Sequence, residues 1–170
     1  MIKLVDILRE VEEKPQTRIY CDLDGVLANF EKGYKDLTGS DAPDYNSDYD
    51  EEAFWKPITD RGIGFWTNLE WMPDAEALWN YIKPYNPQIL TAPSRDMSSR
   101  KGKVMWVRDH IGNPPIHFRQ AKFKQDFSEP GAILIDDRLD TCQRWKDAGG
   151  IAINHKNVSA TIQILKDLGL

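Results

Sequence analysis

Asp22-Leu23-Asp24-Gly25-Val26-Leu27-Ala28-Asn29-Phe30 is the stretch around which the chain is organised. The short, mostly apolar run Arg18-Ile19-Tyr20-Cys21 leads into it and reads as a strand. Two carboxylates then stand one residue apart, and glycine follows at once. Side chains on a strand alternate between faces, so Asp22 and Asp24 share a face for as long as the strand lasts. Gly25 lets the backbone turn sharply there. Two like charges at the end of a buried strand repel and are costly to desolvate. A fold tolerates them when a cation sits between them, or when one carboxylate holds a proton for chemistry. The alternative is an acidic turn of local origin, because Asp-Gly is common turn chemistry.

Outward from this stretch, strands and helices alternate. Leu4, Ile7, Leu8 and Val11 fall at helical spacing and predict a helix over residues 2 to 13, ended before Pro15. A helix is expected from about Ala28 to Leu37. Residues 39 to 73 break the pattern: a polar cluster of Asp and Tyr is followed by Phe54-Trp55, Phe65-Trp66 and Trp71, with Pro43, Pro57, Gly62 and Gly64 as punctuation. This reads as a small helical insertion over a pocket, or as a mini-core of aromatics buried for packing. Ala75, Leu78, Trp79 and Ile82 mark the next helix, with Pro73 suited to its first turn. Strands are predicted at Gln88 to Thr91, Ile116 to Phe118, Ala132 to Ile135 and Ile151 to Ile153. The remaining helices are expected at about 98–111, 139–148 and 159–168. Short apolar strands alternating with helices mean a parallel sheet covered on both faces.

With 170 residues the chain fits one domain, or one domain carrying a small insertion. Hydrophobic residues at 41% and charged residues at 29% are the profile of a soluble globular protein. The net charge of −5 argues against long nucleic acid and anionic membrane as partners, while a local cation still permits a small anionic substrate. Cys21 and Cys142 form no metal or redox spacing and fit a reducing compartment. The first fourteen residues are amphipathic and charged, neither a signal peptide nor a membrane span, so the expected location is cytoplasmic. His110, His117 and His155 share no metal-ligand spacing, and Lys101 and Lys103 read as a solvated helix face near the site entrance.

In an open parallel sheet, ligands bind beyond the carboxyl ends of the strands. Strand one ends in Asp22 and Asp24, strand two in Thr91 and Ser94; strand three leads toward Arg119, Lys122 and Lys124, and strand four ends in Asp136 and Asp137. Two acidic pairs, each closing an apolar strand, are hard to explain structurally. The chemistry they suit is phosphoryl transfer through a carboxylate nucleophile, with Mg²⁺ held by carboxylates and substrate phosphate.

The ordered set of motifs resembles that of haloacid dehalogenase superfamily phosphatases, specifically the 5'(3')-deoxyribonucleotidase family of phage and bacterial type. Residues 22–30 resemble its first motif, Ile89-Leu90-Thr91-Ala92-Pro93 its second and Leu134-Ile135-Asp136-Asp137-Arg138 its fourth. Phe65-Trp66 to Pro73 is similar to its cap-to-core junction. The resemblance spans roughly residues 17 to 155. It implies an α/β doubly wound parallel sheet, a haloacid dehalogenase-like Rossmannoid core at 17–38 and 74–170, with a small, mainly helical cap at 39–73 inserted after the first strand. Residues 1–16 form the separate N-terminal helix.

The resemblance also implies roles. Asp22 is the nucleophile and Asp24 the general acid, then base. Asp22, the Asp24 carbonyl and Asp136 hold Mg²⁺, with Asp137 assisting directly or through water. Thr91 donates to the phosphoryl group. Lys124 is preferred over Lys122 as the third-motif lysine. Arg95 stands where the family can have a phosphate-binding lysine, and an exposed loop arginine is the other reading. Phe30, Trp55, Phe65 and Trp66, with Ala92, Arg95 and Lys122, are expected around the substrate. The implied function is Mg²⁺-dependent hydrolysis of nucleoside monophosphates, deoxy forms preferred, in a monomer or homodimer. Two rivals stand beside it: another small phosphomonoester or a nucleic-acid 3'-phosphate as substrate, and a non-catalytic binding protein on the same fold.

Overall fold

The computed structural model describes residues 17–45 and 47–170. The helix expected over residues 2 to 13 lies outside the described residues. Five parallel strands form one sheet: β1 (Ile19–Cys21), β2 (Gln88–Thr91), β3 (Ile116–Phe118), β4 (Ile133–Asp136) and β5 (Ile151–Asn154), in the order β3-β2-β1-β4-β5. Register is tight around the centre, with Cys21 beside Ile135 on one flank and Ile89 on the other.

Alternation along the strands sorts the core into two layers. Ile19, Cys21, Ile89, Ile133, Ile135 and Ile153 lie in one apolar cluster, and Tyr20, Leu90, Leu134 and Ala152 in a second. The first cluster includes residues of α4 (Ala75–Ile82), α5 (Met97–Ile111) and α7 (Val158–Asp167), and the second includes Cys142 and Trp145 of α6 (Leu139–Asp147). Both faces are therefore covered, which is why the strands read as continuous apolar runs. The sheet is the doubly wound parallel sheet expected.

The inserted segment follows α1 (Phe30–Thr38). It holds α2 (Glu51–Arg61) and the single-turn α3 (Ile63–Thr67). Its Phe54, Ile58, Phe65, Trp66 and Leu69 belong to the same apolar cluster as the sheet. α3 lies closely on α5: a Cβ added at Gly102 would collide with the Cβ of Trp66. Pro73 falls short of the first turn predicted for it. Asp74 takes a left-handed conformation with φ 60° and α4 begins only at Ala75. No helix among the described residues is long and apolar enough to cross a membrane.

Candidate active site

The strand order reverses between β1 and β4, and the crevice beyond their carboxyl ends is where such sheets bind ligands. The Asp22 amide donates to the Ile135 carbonyl (2.9 Å), which sets the two acidic strand ends side by side. Asp22 is buried, Asp136 is fully enclosed and Asp137 is half-buried. One oxygen from each of these three residues lies within 4.8 Å of the others. Gly25, at φ 77°, keeps the turn open for them, since a Cβ there would collide with the Asp137 carboxylate.

Lys124 enters from the short helical turn Ala121–Phe127 before β4. It is 1% exposed, and its Nζ lies 2.7 Å from Asp136 Oδ2 and 3.0 Å from Asp22 Oδ1. Burial alone would lower its pKa, but Asp22 and Asp136 more than offset this and hold the ammonium above the usual lysine range. Backbone amides donate to the same carboxylates: Leu23 N–H to Asp22 Oδ1 (2.8 Å) and Arg138 N–H to Asp136 Oδ1 (2.9 Å).

One ammonium does not balance three carboxylates. Burial, then Asp22, push Asp136 up to about 6, and burial, Asp22 and Asp136 push Asp137 up to about 8. A further cation would offset the excess charge, and an all-oxygen donor set of this size would suit Mg²⁺. Raised folded-state pKa values mean that the folded chain keeps protons which the unfolded chain releases near its ordinary 3.8. These groups therefore stabilise the metal-free fold at low pH, and that stability is lost as pH rises to about 8. Buried His155, whose pKa is lowered, acts oppositely, but only below its ordinary 6.5. Between pH 6.5 and 8.5 the melting temperature of the metal-free protein should fall. Mg²⁺ should raise it, and by more at the upper end, where no proton has to be displaced. A rise independent of pH would place the ion elsewhere.

Lys122, by contrast, is exposed, with its ammonium 5.0 Å from the Phe123 ring centre. Lys124→Ala should destabilise the metal-free protein by about 3–5 kcal/mol, because it leaves buried carboxylates unpaired. Lys122→Ala should stay within about 0.5 kcal/mol of wild type. Calorimetry on both variants decides which lysine serves the cluster, and the reverse order would move the assignment to Lys122.

Asp24 and Thr91 come together through a residue the sequence reading put on a solvated face. Lys103 of α5 is 1% exposed, and its Nζ donates to Asp24 Oδ2 (2.5 Å), Thr91 Oγ1 (3.0 Å) and the Ala92 carbonyl (2.6 Å). The signal was there: Ser99, Gly102, Lys103, Trp106, Val107 and Ile111 form the buried stripe of α5 at helical spacing. Asp24 Oδ1 is enclosed and has no hydrogen-bond partner among the described residues. Burial raises the Asp24 pKa, with Lys103 opposing.

The other expected substrate residues are dispersed. Arg95 is 84% exposed and pairs with Glu51 of the insertion (2.6 Å). Phe65 and Trp66 are enclosed, while Phe30 and Trp55 keep partly exposed rings. Phe30 sits at the centre of the aromatic group, with the rings of Tyr34, Phe54, Trp55, Phe65 and Trp66 around it. The histidines have structural partners: His110 with Trp106, His117 with Gln88 and His155 with Thr161. Cys21 and Cys142 are both buried and free. Two surface grooves, one lined by residues 67–71 with His110 and one between α1 and the insertion, contain none of the site's charged groups.

This architecture is a doubly wound parallel α/β fold with its acidic cluster at the switch point. A hydrolase from Streptococcus pneumoniae TIGR4 shares it, at 11% identity over 89% of this chain and 98% of that one, with a TM-score of 0.55. A Had-superfamily hydrolase from Ehrlichia chaffeensis is similar at 12% identity over 91% and 98% of the two chains, with a TM-score of 0.49. CbbY from Rhodobacter sphaeroides, in complex with phosphate, is similar at 14% identity over 80% and 84%, with a TM-score of 0.46. No protein-family model matches the sequence, and no curated protein does.

Proposed function

We propose that the protein is a Mg²⁺-dependent phosphomonoesterase of the haloacid dehalogenase type, hydrolysing nucleoside monophosphates with deoxy forms preferred. The observation that carries the reading is the pairing of two differently held carboxylates. Asp22 sits in a cluster with Asp136, Asp137 and the Lys124 ammonium, whereas Asp24 keeps one enclosed oxygen with no partner. The description of the fold-sharing Streptococcus pneumoniae protein as a hydrolase agrees with it.

In this mechanism a carboxylate oxygen of Asp22 attacks phosphorus, an aspartyl phosphate forms and the bond from phosphorus to the nucleoside oxygen breaks. Asp24 gives its proton to the departing alkoxide. It then takes a proton from water, which attacks the same phosphorus and frees Asp22 and phosphate. Lys124 offsets the charge that Asp22 and Asp136 bring together, and the Thr91 hydroxyl donates to a phosphoryl oxygen. Asp22, Asp136, Asp137 and the Asp24 carbonyl would hold Mg²⁺, which when bound offsets the charge of substrate and carboxylates.

The nucleotide preference rests on Phe30 and Trp55, whose rings are the ones left partly exposed for a base. Trp55→Ala should lower kcat/KM for a deoxynucleoside monophosphate by roughly tenfold or more and leave 4-nitrophenyl phosphate nearly unchanged, since stacking is worth about 1–3 kcal/mol. Phe65→Ala and Trp66→Ala should reduce both together and cost about 3–5 kcal/mol of stability. The enclosure of Phe65 and Trp66 favours a second reading, a smaller phosphomonoester. Phosphate release from a panel of ribo- and deoxyribonucleotides, 3'-phosphorylated oligonucleotides and small phosphate esters, with and without Mg²⁺, decides between them. Equal use of nucleotides and small esters by wild type and Trp55→Ala would remove the nucleotide assignment.

A further inference from the structure

An ammonium group has three protons, and Lys103 spends all of them inside the protein, on Asp24 Oδ2, Thr91 Oγ1 and the Ala92 carbonyl. No donor is left for a substrate, so Lys103 differs in kind from a lysine that neutralises a phosphoryl group. Its surroundings are built to keep it. The Trp66 ring of the insertion lies with its centre 4.9 Å from Nζ, and Gly102, the residue before it, lets Trp66 pack closely on α5. A buried ammonium needs such complete pairing, because each unpaired proton in a dry site carries a desolvation cost. An apolar residue would fill the same slot without that demand. What the lysine adds is a fixed position for one carboxylate.

We infer that Lys103 is a positioning residue: it ties Asp24 Oδ2 to the end of β2, so that Oδ1 alone remains to act on the leaving group. This rests on the phosphatase reading above. Thr91 and the Ala92 carbonyl are the anchors, because both belong to the rigid end of β2 or the residue after it. Lys103 holds Asp24, while Lys124 serves Asp22 and Asp136. Two buried lysines thus divide the site, one for the attacking carboxylate and one for the proton-transferring carboxylate. A carboxylate free to rotate would spend part of its time out of reach of the leaving oxygen, and a displacement of about 1 Å can cost about 10²-fold in rate.

The test is a double-mutant cycle on the full chain with Mg²⁺. Wild type, Lys103→Met, Asp24→Asn and the double variant are assayed with a deoxynucleoside monophosphate and with 4-nitrophenyl phosphate, and melting temperatures are recorded. Lys103→Met should lower kcat/KM about 10²-fold for the nucleotide and at least tenfold less for the aryl ester, whose departure needs little protonation. In the Asp24→Asn background the same change should cost less than about threefold, because the group it positions has already lost its function. Should Lys103→Met not fold, Lys103→Gln, which keeps a donor, replaces it with the same expectations. Equal losses on both substrates, or losses that persist in the Asp24→Asn background, would make Lys103 a structural lysine only. A wild type that releases no phosphate from any ester would instead overturn the phosphatase reading, and this inference with it.

Discussion

Replacing Asp22 by Asn is expected to abolish phosphate release, by roughly 10⁴-fold or more, while the fold persists. The amide is neutral and a poor nucleophile at phosphorus, so no aspartyl phosphate forms. Stability should not suffer. Asp22 raises the pKa of both Asp136 and Asp137 by repulsion, and Lys124 keeps its shorter contact to Asp136 (2.7 Å) when Asp22 is neutral. The melting temperature of the metal-free variant should equal or exceed that of wild type, whereas its gain from Mg²⁺ should shrink. Normal turnover by a well-folded Asp22→Asn protein would leave the mechanism without its nucleophile.

The second large effect is that of Asp24→Asn, and its size should depend on the leaving group. Protonating a departing alkoxide contributes typically 10²–10⁴-fold, and an amide cannot supply the proton. A nucleoside leaves as a strongly basic alkoxide, whereas 4-nitrophenolate leaves readily, so the nucleotide should lose far more. Oδ1, unpaired among the described residues, is the atom that carries the proton to the leaving group in this mechanism, since Oδ2 is occupied by Lys103. Equal losses for both esters would reduce Asp24 to a structural partner of Lys103.

Much of the fold was legible because its central strands are buried on both faces. Such strands read as unbroken apolar runs, and Ile133–Asp136 ends in an acidic residue while Ile19–Cys21 is followed at once by Asp22, placements that packing does not explain. Helix limits were less exact. Asn29 caps α1 through its side chain, accepting from the Lys32 amide, so the helix begins at Phe30 and not at Ala28. The insertion gave weak periodicity because α2 contains Pro57 and α3 is a single turn, and the aromatics of both pack around Phe30.

Lys103 was hidden by its neighbours. Arg100 and Lys101 are exposed on the same helix, so the run of basic residues reads as one solvated face, although the 3.6-residue stripe carries Lys103 inward with Trp106 and Val107. Its acidic partner lies 79 residues away, and no local pattern announces a contact of that range. The enclosure of Phe65 and Trp66 was equally illegible, because an aromatic in an irregular segment has the same sequence signature whether it stacks on a ligand or fills a core.

The central claim is that Asp22 becomes covalently phosphorylated, and the direct measurement is to trap it. The protein is mixed with 4-nitrophenyl phosphate and Mg²⁺, quenched in acid during the first turnover and reduced with borohydride, which converts an aspartyl phosphate to homoserine. Peptide mass spectrometry then locates the modified position. Homoserine is expected at position 22, dependent on substrate and on Mg²⁺, and absent from Asp22→Asn. Steady phosphate release with position 22 unmodified, or with the modification at another carboxylate, would contradict the claim.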